Sequence, residues 1–412
     1  MTRRHRATLA GRTTLCAAAV LLALAGAASA QRQQQPVVDA GQPGGRPVGK
    51  LELVATFDGP MPTGVAVSRL GRVFVNFPRW VDAVPYTVAE VKGGRTVPYP
   101  DRATNNYQSD APEAALVSVQ SVVVDAADRL WMLDTGTILQ GPVAIGGAKM
   151  LAVDLGTDKV VKTISFTRDV ALPMSYLNDV RFDLRRGKEG VAYITDSSAE
   201  GSNAIIVVDL ATGKARRRLN DHPSTKPDPK VVPLVEGKPV LEQQPTGQPR
   251  PVKFGADGIA LSAGGNRLYY RPISSRRLYS VSTDALLDPA MTDAQVAATV
   301  IDHGRTAITD GMESDAQGRL YLTDVENNAV RRLTPPRRGG GDRSARGEVL
   351  VSDPRLLWPD TLSLAADGYL YVTANQLHRQ PQFNNGRDLR QKPYSLFRTP
   401  VDGKPVSLGR KG

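Results

Sequence analysis

The chain has 412 residues, with 52 Lys and Arg against 41 Asp and Glu, a formal net charge of +11 and a single cysteine. Four of the arginines lie in the first 30 residues, so the remainder carries only +7, a modest excess without the aromatic-basic interleaving of a nucleic-acid groove. Cys16 also lies in that leader, which leaves the rest with no disulfide, no thiolate nucleophile and no cysteine metal ligand.

At the N-terminus, Arg3, Arg4, Arg6 and Arg12 accompany an apolar run from Leu15 to Ala25 and the small residues Ala28, Ser29 and Ala30. That order reads as a secretory signal peptide over residues 1–30, cleaved before Gln31, and predicts a secreted or periplasmic protein. No later stretch reaches the ~20 consecutive apolar residues of a spanning helix, so no membrane anchor is expected after cleavage. Residues 31–50, rich in Gln, Pro and Gly, read as a flexible linker.

From residue 51 onward one pattern recurs six times: a polar or small pair, a short alternating strand, an Asp/Gly turn and a second strand rich in aromatic and β-branched residues. The copies begin at Thr63, Gln120, Asn178, Asp257, Asp310 and Asp360. The steps between them are 57, 58, 79, 53 and 50 residues, long enough for a four-stranded sheet each, with an insertion in the third. Turns such as Asp315-Ala316-Gln317-Gly318 and Ala366-Asp367-Gly368 joining period-two segments predict antiparallel hairpins. Six such sheets bury their faces only by packing radially around a channel, so residues 51–400 are expected to form one all-β, six-bladed β-propeller. Leu51–Phe57 and Tyr394–Thr399 are expected to share a blade and close the ring. Residues 214–253 and 335–347, rich in Pro and charge, read as loops that interrupt it, and 401–412 as a C-terminal tail.

Several runs resemble the major royal jelly and yellow family of secreted propeller proteins. They are Phe77-Pro78-Arg79-Trp80, Asp128 to Gly136, Tyr193 to Ser197, Trp358-Pro359-Asp360-Thr361 and Val372 to Leu377, in family order along nearly the whole mature chain. The resemblance implies a secreted propeller associated with pigment-pathway roles, nutrition or binding of small aromatic amines. The chain lacks the cysteines of animal members, which suggests a bacterial branch with its own ligand.

The start of each innermost strand of a propeller faces the channel mouth, so Thr63, Gln120, Asn178, Asp257, Asp310 and Asp360 are expected to form a polar ring that binds a small-molecule ligand. Three carboxylates and two amides converging there would suit a hard divalent cation, Ca²⁺ foremost. Asn178-Asp179, Asp257-Gly258 and Asp310-Gly311 also look like the ligand motifs of gluconolactonase-like propellers. That resemblance implies Asn178, Asp257 and Asp310 as metal ligands, with Asp310 alternatively a catalytic general base. Those enzymes take a glutamate from the first repeat where this chain has Thr63. Asp or Asn before Gly also suits a purely structural role, shaping the turn into each strand, and Asp134, Asp196 and Asp324 on the second strands read as hairpin or inter-blade hydrogen-bonding groups. Of the large aromatics, Trp131 reads as core, while Trp80 and Phe383 are candidate rim residues for stacking on a ligand.

His222, His303 and His378 are too far apart for a helical zinc site, no Gly-x-Ser-x-Gly elbow occurs, and no nucleotide or organic cofactor is expected. Three functions remain: a small-molecule-binding propeller with a cation in its funnel, a metal-dependent lactone hydrolase, and a protein-interaction platform built on the insertion.

Overall fold

The computed structural model describes residues 47–244, 246–335 and 346–410. The expected signal peptide, the expected linker up to residue 46 and the segment 336–345 lie outside the described residues. Six four-stranded antiparallel sheets follow one another along the chain and form a six-bladed β-propeller. Their innermost strands, which define blades 1 to 6, are Val65–Val67, Val119–Val124, Leu177–Asp183, Ala256–Leu261, Met312–Ser314 and Pro359–Leu364. Each lies where the repeat places it. The N-terminal strand Glu52–Phe57 pairs antiparallel with the last strand, Tyr394–Pro400, from Glu52↔Arg398 to Phe57↔Tyr394, so blade 6 is built from both ends of the propeller and closes it.

Period-two alternation explains how a sheet can be buried on both faces. In the second strand of blade 2, Arg129–Asp134, the side chains of Trp131 and Leu133 join the cluster of Leu177, Val180 and Ala192 from blade 3. Leu130 and Met132 join Ala66, Phe74 and Val88 from blade 1 instead. Successive side chains thus point to opposite neighbours, and each blade becomes the core of the next. Trp131 is fully buried and stacks on Phe182 with centroids 5.0 Å apart, in keeping with a core role.

The inner ends of the blades are tied together at the ring positions. The Asn76 amide of blade 1 donates to the Gln120 carbonyl at 3.0 Å, and the Thr195 hydroxyl of blade 3 to the Asp257 carbonyl at 2.7 Å. In the same way Gly311 N–H reaches the Asp360 carbonyl at 2.8 Å and the Thr373 hydroxyl the Thr63 carbonyl at 2.6 Å. In blades 2, 3, 4 and 6 the pairing register shifts across the ring position, as between Ala256 and Ile259. Such bulges bend a strand and re-aim its side chains. Glycine follows the ring residue for a spatial reason: a Cβ on Gly311 would lie 2.2 Å from the Asp360 carbonyl oxygen, and one on Gly258 would lie 2.5 Å from that of Asp310. Asp-Gly here is a close contact between neighbouring blades, set at the strand's start rather than in a free turn.

The insertion departs from the expected loop. Ala215–Arg218 is the outer strand of blade 3, paired from Ile205↔Arg218 to Val208↔Ala215. Its arginines suit an outer edge, where charge blocks pairing with other chains. Arg217 forms an ion pair with Asp196 at 2.8 Å, while Arg216 and Arg218 donate to the carbonyls of Leu287 and Asp288. Beyond it come two small hairpins, Leu234–Val235 with Lys238–Pro239 and Leu241–Glu242 with Arg250–Pro251. Val231, Val235, Val240 and Val252 are buried in one cluster with Trp80, Tyr176 and Trp358, so the insertion packs onto the propeller. Blade 4 also carries two one-turn helices, Thr283–Leu287 and Asp293–Ala297, the second with a Thr292/Gln295 capping box.

Replacing Gly311 with alanine should destabilise the protein by about 1–3 kcal/mol, because the added methyl group overpacks against the blade 6 backbone. Gly59→Ala, where a Cβ meets nothing within 4 Å, should stay within about 0.5 kcal/mol in the same chemical-denaturation series.

Candidate functional site

Five of the six ring residues meet in one pocket at the channel mouth. Gln120, Asn178, Asp257, Asp310 and Asp360 form its floor, and Trp80, Tyr176, Phe254, Ile273 and Leu377 supply most of its apolar wall. Its volume is about 60 Å³. Gln140 and Glu200 stand at the exposed rim. Gln140 and its neighbour Leu139 both hold φ near +54°, a strained backbone for non-glycine residues and one that concentrates at ligand-binding edges.

Thr63 departs from the expectation for the ring. It is fully buried, does not line the pocket, and its hydroxyl donates to the Gln120 carbonyl at 3.3 Å while accepting from the Asn76 amide at 2.7 Å. The side chain is too short to pass the inter-blade contact that consumes it. Blade 1 therefore presents Trp80 to the pocket and no carboxylate. Phe383 also lies elsewhere: it is half-buried in a 3₁₀ turn, Pro381–Phe383, packed against the apolar cluster behind the wall.

Hydrogen bonds orient most of the floor. Trp80 Nε1 donates to the Tyr176 hydroxyl at 2.7 Å, which in turn donates to Gln120 Oε1 at 2.9 Å. Trp358 Nε1 donates to Asp310 Oδ2 at 2.7 Å, and Asp360 accepts from Thr361 Oγ1 at 3.0 Å and from the Asn375 amide. The Asn178 amide has no hydrogen-bond partner among the described residues, although the residue is buried at the pocket floor.

The carboxyl groups are crowded and dry. Burial, followed by the charges of Asp310, Asp179 and Asp360, holds Asp257 well above the usual carboxylate range. Burial and then Asp310 do the same to Asp360. Burial pushes Asp310 up to about 6, against the restraining hydrogen bond from Trp358. The direct contact between the two carboxyl groups raises Asp257 and lowers Asp310, so they titrate as a pair. Among the described residues no Lys, Arg or His side chain lines the pocket. The floor therefore gathers carboxyl groups under an apolar wall with no basic partner among the lining residues.

Asn178, Asp257 and Asp310 offer the hard oxygen donors that calcium takes. Their fit to a metal is partial, since among the described residues no three His, Cys, Asp or Glu side chains converge as a metal cluster. Two carboxylates and one amide would have to suffice.

The insertion reaches this floor from behind. His378 stacks on Trp358 with centroids 5.8 Å apart, and Glu236 of the first insertion hairpin accepts from His378 Nε2 at 2.7 Å and Arg379 Nε at 2.9 Å. The route from Glu236 through His378 and Trp358 to Asp310 joins the insertion to the pocket. Sequence reasoning missed Tyr176 as a wall residue. The signal was present, because Tyr176 precedes Asn178 by one strand period and so shares its face, as Trp358 precedes Asp360.

Known proteins place these features in context. The model of the family described as Major royal jelly protein matches residues 117–403. Major royal jelly protein 7 of Apis mellifera is 26% identical over 270 residues, spanning 63% of this chain and 56% of that protein. Protein yellow of Drosophila melanogaster is 26% identical over 318 residues, spanning 71% of this chain and 56% of that protein. The chain thus matches little more than half the length of either relative. Among solved structures, a calcium-binding protein, regucalcin, from Agrobacterium tumefaciens has a TM-score of 0.52 at 14% identity, over 87% of this chain and 98% of that one. A luciferin-regenerating enzyme gives 0.51 at 11% identity, over 88% and 100%. At such identities the likeness is one of fold.

A carboxyl group whose pKa is raised by folding stabilises the protein only while protonated, so its contribution is present in acid and lost as pH rises through the folded value. The stability of the protein should accordingly fall from about pH 4, the ordinary carboxylate value, to about pH 6, the folded value of Asp310, with Asp257 extending the decline to higher pH. Asp257→Asn should raise the melting temperature at pH 8 and flatten that decline, measured by thermal denaturation across pH.

Proposed function

The chain belongs to the major royal jelly protein family, and on that footing we propose that it is an exported binding protein whose funnel holds a small organic amine. One observation carries this reading: three buried, mutually repelling carboxyl groups form the floor of a pocket that no basic side chain neutralises. A protonated amine placed on Asp257, Asp310 and Asp360 relieves their repulsion. Its apolar body then lies against Trp80, Tyr176, Phe254, Ile273 and Leu377, and an ammonium beside Trp80 and Tyr176 gains cation–π attraction. Asn178 and the free amide nitrogen of Gln120 supply polar contacts that select the ligand's remaining groups. Export rests on the leader at residues 1–30.

A second reading has a divalent cation, Ca²⁺ first, at Asn178, Asp257 and Asp310, and a lactone as substrate. The partnerless Asn178 amide favours it, and a carboxyl group near pH 6 such as Asp310 suits a general base. The bound ion would polarise the lactone carbonyl. Against it stands the first blade, where buried Thr63 replaces an acidic ligand and Trp80 fills the wall.

Calorimetric titration with tryptamine, with and without CaCl₂, separates the two. The amine reading predicts saturable, calcium-independent binding that releases about one proton at pH 7.5 as the carboxyl groups ionise, so affinity should fall about tenfold per pH unit as the pH is lowered from there. Asp257→Asn should abolish it. Calcium binding without amine binding, together with turnover of gluconolactone that Asp310→Asn removes, would install the second reading instead.

A further inference from the structure

The channel has a second mouth. All six innermost strands run away from the acidic floor and end around a cavity of about 340 Å³, far roomier than the 60 Å³ pocket at the first mouth. Val65, Val67, Val122, Val124 and Leu362 of the innermost strands line it, and the tail segment Pro405–Leu408 forms part of its rim. The tail is a built wall: Ala316 N–H donates to the Lys404 carbonyl, and Leu184 N–H to that of Leu408, each at 2.9 Å.

Two charged side chains inside this cavity are incompletely bonded. Arg181, from blade 3, is 8% exposed and spans to blade 5, with Nη1 donating to the Val180 carbonyl at 2.8 Å and Nη2 to the Met312 carbonyl at 2.6 Å. Its Nε–H is buried and has no acceptor among the described residues. Glu313, from blade 5, uses Oε1 to accept its neighbour Ser314 N–H at 2.8 Å, and the closest charge to Oε2 is Arg181 Nη2 at 3.9 Å. The buried guanidinium donor departs from the rule that buried polar groups are satisfied, and the partly exposed Glu313 carboxyl group opens onto the cavity near it.

Charge decides what fits between them. Asp179 lies 4.0 Å from the other side of the guanidinium, so Arg181 has a carboxylate on each flank. An anion would meet two carboxylates, and a metal ion would meet the guanidinium. A hydroxyl group answers both needs at once, because it can accept from Arg181 Nε and donate to Glu313 Oε2. One water fills only about 30 Å³, so the cavity has room for several linked hydroxyls. We propose that this second mouth binds a neutral polyhydroxylated ligand, a monosaccharide or cyclic polyol, with one hydroxyl bridging Arg181 and Glu313 and its ring held among the inner strands and the tail segment.

The test is a titration of the folded protein with glucose and with myo-inositol, followed by saturation-transfer NMR, on the unmodified protein, Glu313→Gln and Arg181→Lys. The variant Glu313→Gln keeps the shape but weakens the acceptor, while Arg181→Lys keeps the charge and removes the Nε donor. The proposal expects saturable binding of at least one polyol, weakened about tenfold or more in each variant that retains its melting transition. Binding should persist when tryptamine saturates the other mouth. Absence of binding by both polyols, or equal binding in a folded variant, overturns the proposal.

Discussion

Everything at the candidate site depends on the contact by which one blade grips the inner strand of the next. Asn76, Thr195, Gly311 and Thr373 each donate a hydrogen bond to the carbonyl of the following blade's ring residue. In blades 2, 4 and 6 the side chain on that residue then lines the pocket, beside a bulge. A hydrogen bond of this kind contributes only about 1 kcal/mol net, but the repetition fixes position as well as stability. Glycine after Asp257 and Asp310 keeps the blades close enough for the bond to form. The same packing that closes the propeller therefore gathers carboxyl groups that would otherwise repel one another apart.

That gathering has an energetic direction. Three buried carboxyl groups with raised pKa values oppose folding once they ionise, and the apolar wall and Trp358 hold them there regardless. A positive ligand of the proposed kind would relieve that opposition, and binding and stability would then be linked. The insertion belongs to this arrangement as well. Its valines share the cluster that contains Trp80 and Tyr176, and its Glu236 reaches His378 and Arg379 beside Trp358.

The ring was legible in the sequence because one physical requirement, a polar group at the start of each innermost strand, is written six times at similar spacing. Closure by the two chain ends was legible for the same reason, since an unpaired strand at each end needs a partner. Thr63 was misplaced because position in a repeat does not reveal side-chain reach: a threonine hydroxyl is consumed by Asn76 and the Gln120 carbonyl before it gains the pocket. Phe383 and the arginines at 216–218 were misread because an aromatic near a predicted rim, or a charge run near prolines, carries no periodic signal. The pairing of Glu236 with His378 spans 142 residues and leaves no local trace at all, and the same holds for the meeting of Arg181 with Met312.

The central claim is that the ring holds neutral, protonated carboxyl groups which a cationic ligand forces to ionise. Difference infrared spectroscopy of the folded protein at pH 7.5 reads this directly in the carbonyl stretch of a protonated carboxylic acid. The account predicts that this band is present in the free protein, shrinks in Asp257→Asn, and disappears as a bound amine or metal ion converts it to carboxylate. A ligand that binds the funnel while the acid band is absent from the start, or unchanged at saturation, would contradict it.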